Sequence, residues 1–173
     1  MLNYLKEREI TRKVDELLRK HNIDSPPVNL SKILLEENIK YLEENFEEIG
    51  LPKNADALIY AKENYKTIIV NEEKHIYKEK KRFTLAHELG HFFLHTNDRP
   101  EYLEFRNGNN SDPTKEEEAN FFAASLLMPI TFVEDAYFNL SQPYVSILAR
   151  RFNVSLAAMR YRLDFLGLSY INA

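Results

Sequence analysis

The chain has 173 residues, 44% of them hydrophobic and 29% charged, with four glycines and seven prolines, which supports one sizeable core and excludes a disordered or fibrous chain. Its 23 basic and 27 acidic side chains leave a formal net charge of −4, so no overall basic field draws it to nucleic acid or to an anionic membrane. The absence of cysteine rules out a disulfide framework and thiolate chemistry, and a charged N-terminal segment without any apolar run of membrane-spanning length predicts a cytoplasmic protein.

Residues 3–21 read as an amphipathic helix, with Leu5, Ile10, Val14, Leu17 and Leu18 recurring near helical spacing. Asp24-Ser25-Pro26-Pro27 ends it, and Asn29 or Ser31 starts a short second helix carrying Ile33, Leu34 and Leu35. Three strands are predicted, at 39–43, 57–61 and 66–70, the last two joined by a turn at Glu63-Asn64. Residues 71–74 read as a turn.

A helix over 76–95 follows. Phe83, Leu85, Ala86, Leu89, Phe92, Phe93 and Leu94 surround it, so it is interior. Gly90 in its middle costs about 1 kcal/mol against alanine, and its expected compensation is the close approach of another backbone, the sheet edge. Residues 96–111, with Pro100, Asn107, Gly108, Asn109 and Asn110, read as a surface loop, either a solvated connection or a lid or rim for substrate. Asp112-Pro113-Thr114 opens the next helix, where Thr114 and Glu117 fit a capping box, and Met128-Pro129 ends it. Three further helices are expected at 130–138, 143–152 and 155–166. Ser141 and Ser155 are their caps, Asn153 is a break and Gly167 a C-terminal signal.

The interior helix carries His87-Glu88-Leu89-Gly90-His91. Side chains four apart share one helical face, so His87 and His91 can grip one metal ion, and Glu88 is placed to take a proton from an attacking water. Zinc needs a third protein ligand. Glu118, on one face with Phe122 and Ser125 at the start of an apolar run, is the first candidate. Glu116 and Glu117, nearer the capped end, read as solvated charges favoured by the helix dipole. His95 is the second candidate, but nothing breaks the helix after His91 to bring it to the same ion, so it reads as a C-terminal cap or a cleft residue. Asn120 and Asp164 are candidate acceptors for the outer ring nitrogens of the histidines. Tyr161, Arg162 and Tyr137 are candidate oxyanion donors.

Two blocks, His87-Glu88-Leu89-Gly90-His91-Phe92-Phe93-Leu94-His95 and Glu118-Ala119-Asn120-Phe121-Phe122-Ala123-Ala124-Ser125-Leu126-Leu127-Met128-Pro129, resemble the ImmA/IrrE metallopeptidase family. So does the tail from Leu148 to Leu168, and the resemblance covers about residues 55–168. It implies an α+β fold, a helix-rich minimal zincin (gluzincin-like) core with a small three-stranded, mostly antiparallel sheet packed against the HExxH helix. It implies a single metallopeptidase domain, with an N-terminal helical segment and first strand (1–54), a catalytic core (55–128) and C-terminal helices (129–173). His87, His91 and Glu118 would be the ligands of one Zn2+ per chain, with Mn2+ or another divalent ion as a substitute, and Glu88 the general base. The implied role is that of a bacterial or phage anti-repressor, cleaving a helix-turn-helix repressor encoded nearby.

Two rival functions share the same residues. Residues 148–160 have the cadence of a helix-turn-helix, and residues 143–173 hold four arginines against one aspartate, which fits a DNA-binding regulator. The acidic balance of the whole chain opposes that reading. A metal-binding module that holds a partner without cutting it is the other rival, and the intact Glu88 opposes it.

Overall fold

A computed structural model describes residues 2–62, 65–72, 77–96, 101–107 and 112–172. Helix α1 (Tyr4–Lys20) starts at Asn3, whose side chain accepts from the Lys6 amide, and buries Ile10, Val14, Leu17 and Leu18. Leu5 does not join that stripe. It precedes Ile10 by five positions, off the helical repeat, and is 74% exposed. Asn29 caps α2 (Leu30–Glu36) through the Lys32 amide.

His21, just past α1, lies buried between the carboxylates of α2's end, with Nδ1 2.6 Å from Glu36 and Nε2 2.8 Å from Glu37. Lys20 also donates to Glu37, at 2.6 Å. Burial alone would raise the Glu37 pKa, but the hydrogen bonds and charges of Lys20 and His21 outweigh it and hold the group below its ordinary value of 4.5. A carboxylate depressed in the folded state adds stability above its unfolded pKa and loses it as pH falls through the folded one. The stability deficit of Glu37→Gln is therefore expected to be full near neutrality and to fade in acid below about pH 4, as seen by thermal melts across pH. A deficit independent of pH would remove the charge from the account.

The sheet has four strands, β1 (Lys40–Glu44), β2 (Ala55–Lys62), β3 (Tyr65–Asn71) and β4 (Glu101–Asn107), in the order β1-β3-β2-β4. β1 runs parallel to β3, while β2 is antiparallel to both β3 and β4. The fold is thus helix-rich α+β, as expected for a zincin-like core, with four strands rather than three. The added strand lies within the segment 96–111 read as loop. Its charged residues and flanking Pro and Asn-Gly masked it, yet it pairs with β2 along its length, Tyr60 opposite Leu103 and Ala61 opposite Tyr102, and Tyr102 is buried. The turn at Glu63-Asn64, the ends of the features at Lys74 and Ile76, and Gly108–Asn110 lie outside the described residues.

One sheet face, with Ala57, Ile59, Ile68 and Val70, joins the helices in the main core, while Leu58 and Ala55 meet Phe46 on the other. The irregularity between Ala55 and Ala57 explains why two positions of equal parity face opposite ways. Helix α3 (Lys78–His95) is buried at every position from Leu85 to Phe92, and α4 (Pro113–Leu127) packs along it. Asp112 caps α4 through the Thr114 amide, in place of the capping box expected from Thr114 and Glu117. Gly90 serves this helix pair rather than the sheet edge. A Cβ there would sit 3.0 Å from the Ala119 Cα and 3.1 Å from its carbonyl oxygen.

Those two contacts are backbone, so they cannot swing aside. Overpacking costs about 1–3 kcal/mol and the gain in helix propensity returns about 1. Gly90→Ala is expected to lose up to about 2 kcal/mol net in urea titration. It is also expected to weaken metal binding by forcing α3 from α4. A gain in stability would show that the two helices part freely.

The chain closes with α5 (Ile130–Phe138), α6 (Val145–Phe152) and α7 (Leu156–Phe165). Ser155 caps α7, and Asn153 takes a left-handed conformation between the last two helices. Ser141 is not the cap of α6, whose first turn is preceded by Tyr144 and has no side-chain cap. The Val145 amide instead donates to the carbonyl of Ile171. Among the described residues no single helix is long and apolar enough to cross a membrane.

Candidate metal centre

His87 and His91 stand one turn apart on the buried stretch of α3, with their Nε2 atoms 2.9 Å from each other. Glu116 reaches them from the first turn of α4. One of its carboxylate oxygens is 3.3 Å from the Nε2 of His87 and the other 3.3 Å from the Nε2 of His91. The ligand atoms of these three residues lie within 4.8 Å of one another. Two imidazole nitrogens and one carboxylate oxygen, converging from two rigid helices, fit the three protein ligands of a catalytic zinc site.

The outer ring nitrogens are held as such a site requires. The Nδ1 of His87 is 2.8 Å from Oδ1 of Asn120, and an amide oxygen accepts only, so the ring donates there and leaves Nε2 with its lone pair toward Glu116. The Nδ1 of His91 is 3.2 Å from the Nδ1 of His95, whose Nε2 is 3.2 Å from Oε2 of Glu118. Glu118 in turn lies 3.5 Å from the ammonium of Lys6 on α1. With the carboxylate as terminal acceptor, the protons run outward along this chain, from His91 to His95 and from His95 to Glu118. Both histidines then turn Nε2 toward Glu116.

Residues 39–164 match the model of the Peptidase M78 family, described as the IrrE N-terminal-like domain. The chain belongs to this family. The ImmA/IrrE resemblance read from the two sequence blocks therefore stands. Curated proteins give no match. A solved structure described as a Mycobacterium tuberculosis transcriptional regulator shares 14% identity over 91% of the chain with a TM-score of 0.53, and the chain spans 46% of that protein's length. At this identity the likeness is one of fold.

In this M78-family chain the carboxylate brought to the histidine pair is Glu116, whereas Glu118 contacts His95 and Lys6. Two positions on a helix differ by about 200° in direction, so both cannot face the same ion. The apolar residues after Glu118 argued for its inward orientation, but α4 is buried on several sides beyond Ala119, and burial does not identify which side meets α3. Ala119 facing Gly90 fixes that side. The informative signal in the sequence was the pair Glu116 and Asn120, four apart and both polar on the face that meets the histidines.

His95, read as a C-terminal cap or a cleft residue, is the last residue of α3 and links His91 to Glu118. Of the candidate outer acceptors, Asn120 meets His87, while Asp164 is exposed and accepts from Tyr170 at 3.5 Å. Tyr137 donates to the Ser169 carbonyl. Arg162 is 2% exposed and donates through Nε to the Met128 carbonyl at 2.9 Å, with burial pushing its pKa down to about 10. Both donate to backbone carbonyls. Tyr161 is 68% exposed on α7. Glu88 is fully buried beside His87. The Tyr41 phenol on β1, which the sequence did not single out, has its pKa raised by burial first, then by Glu43, then by the charge of Glu88. Glu43 on β1 also accepts from Lys81, which ties the strand to the first half of α3.

Proposed function

We propose that the chain is a zinc-dependent endopeptidase that cuts one specific protein partner, a helix-turn-helix repressor encoded nearby, in the cytoplasm. The convergence of His87, His91 and Glu116 carries this reading. A zinc ion held by these three residues would polarise the scissile carbonyl and lower the pKa of water. Glu88 accepts the proton of the attacking water and returns it to the departing amine. Asn120 fixes the ring of His87, and His95 with Glu118 fixes that of His91. The fold shared with a transcriptional regulator is in keeping with a role in gene control.

The DNA-binding alternative loses support from the same helices. Of the four arginines that made the tail basic, Arg162 is buried, Arg151 lies 3.8 Å from Asp135 and Arg160 donates to Asn172. On α7, the helix that would enter a groove of DNA, Arg160 is then the one arginine that is not buried. The test is incubation of the purified protein with the helix-turn-helix product of the adjacent gene. Discrete fragments are expected that vanish on chelation and return with zinc or Mn2+, from a protein holding about one zinc per chain. An intact partner together with a protein that takes up no metal would overturn the proposal.

A further inference from the structure

An apolar groove of about 850 Å3 runs between α4 and α7 and is walled by the first turns of α1 and α3. Phe83, Phe121, Met128 and Phe165 form much of its lining. Phe121 and Phe165 meet edge to face with centroids 5.5 Å apart. Phe165 and Tyr161 remain 42% and 68% exposed. The groove borders the metal centre through Asn120, which both lines it and accepts from His87.

The charged groups around this lining are unequal. Glu7, Glu79 and Glu117 face it from three different helices, against the single ammonium of Lys80. The lining on α4 extends from Glu117 to Met128, a rise of about 16 Å at 1.5 Å per residue, or three turns of a docked helix. Exposed aromatic residues over an apolar floor with a predominantly acidic margin describe a helix-in-groove site rather than a small-molecule pocket, where polar groups converge in the depth.

We propose that this groove docks a basic amphipathic helix of the protein substrate, its apolar face on the aromatic floor and its lysines or arginines on the Glu7, Glu79 and Glu117 margin. The inference rests on the peptidase reading for the identity of the ligand as substrate, but the binding itself needs neither metal nor cleavage. The groove selects the partner and delivers it beside His87, and the centre itself is left free of sequence preference.

The probes are two fluorescein-labelled synthetic 18-residue helices with the same leucine face, one with lysine and one with glutamate on the polar face. Fluorescence anisotropy against the zinc-loaded Glu88→Gln protein is expected to show the basic helix bound at least tenfold more tightly. Glu7→Lys with Glu79→Lys, neither of them a member of the histidine–glutamate cluster, should erase that preference at unchanged zinc content. Tyr161→Ala should weaken binding severalfold. Glu47→Lys with Glu48→Lys, on the far sheet-side loop, should change nothing.

Equal binding of both helices, no binding, or an equal loss in the remote pair would overturn the groove proposal. Groove binding in a protein that takes up no zinc would instead overturn the peptidase reading and leave the docking site. With the natural partner, the Glu7→Lys, Glu79→Lys protein should show a raised KM at unchanged kcat. A fall in kcat alone would count against docking.

Discussion

Replacing Glu116 by alanine is expected to strip the protein of zinc, whereas the same change at Glu118 is expected to leave most of it bound. Structural zinc sites bind with about 10–16 kcal/mol over four ligands, so one ligand is worth about 3–4 kcal/mol, or a 100- to 1000-fold loss of affinity. Glu116 supplies a carboxylate oxygen within 3.3 Å of each histidine nitrogen. Glu118 acts two contacts out, through His95 on His91, where losing a partner costs about tenfold, the lower end of the range for outer-shell changes. Competition with a chromophoric chelator measures both. Glu118→Gln keeps an acceptor for His95 and should recover most of the tenfold loss, which separates orientation from bulk packing. If Glu118→Ala proves the more damaging change, the facing of α4 described above is wrong.

The contrast between these neighbouring glutamates shows what can be read along a chain and what cannot. His87, Glu88 and His91 sit on one element, so their mutual placement follows from the helical repeat alone. The third ligand comes from another helix, and its identity depends on which side of α4 meets α3. That orientation is set by a contact between Gly90 and Ala119, residues whose chemistry says nothing about metal. The amphipathic α1 was legible because one face is wet, and even there Leu5 shows that a hydrophobic residue off the repeat stays outside. β4 was missed because edge strands carry charges and lie among turn residues, so alternation is weak and pairing with β2 does the ordering. The family, in contrast, was legible from two blocks, since both concern residues local to one helix each.

Glu88→Gln is expected to keep the metal and the fold and to stop proteolysis. Glutamine has the size of glutamate and retains a carbonyl acceptor, but it cannot take up a proton at working pH. General-base steps of this kind contribute about 10²–10⁴-fold, so cleavage of the partner should fall by that factor at unchanged zinc content. His87→Ala should behave differently. It removes a ligand and leaves Glu116 and Asn120 without their shared partner, so metal and activity should disappear together. Zinc content and fragment yield measured side by side distinguish the two. Glu88 is fully buried, and the neutral amide avoids the desolvation cost of a carboxylate, so the Glu88→Gln protein should melt no lower than the parent. Cleavage at the parental rate would mean that the metal is structural or that another residue is the base. A Glu88→Gln protein that holds its partner uncut would provide a stable complex from which the bound segment, and with it the cleavage site, can be mapped.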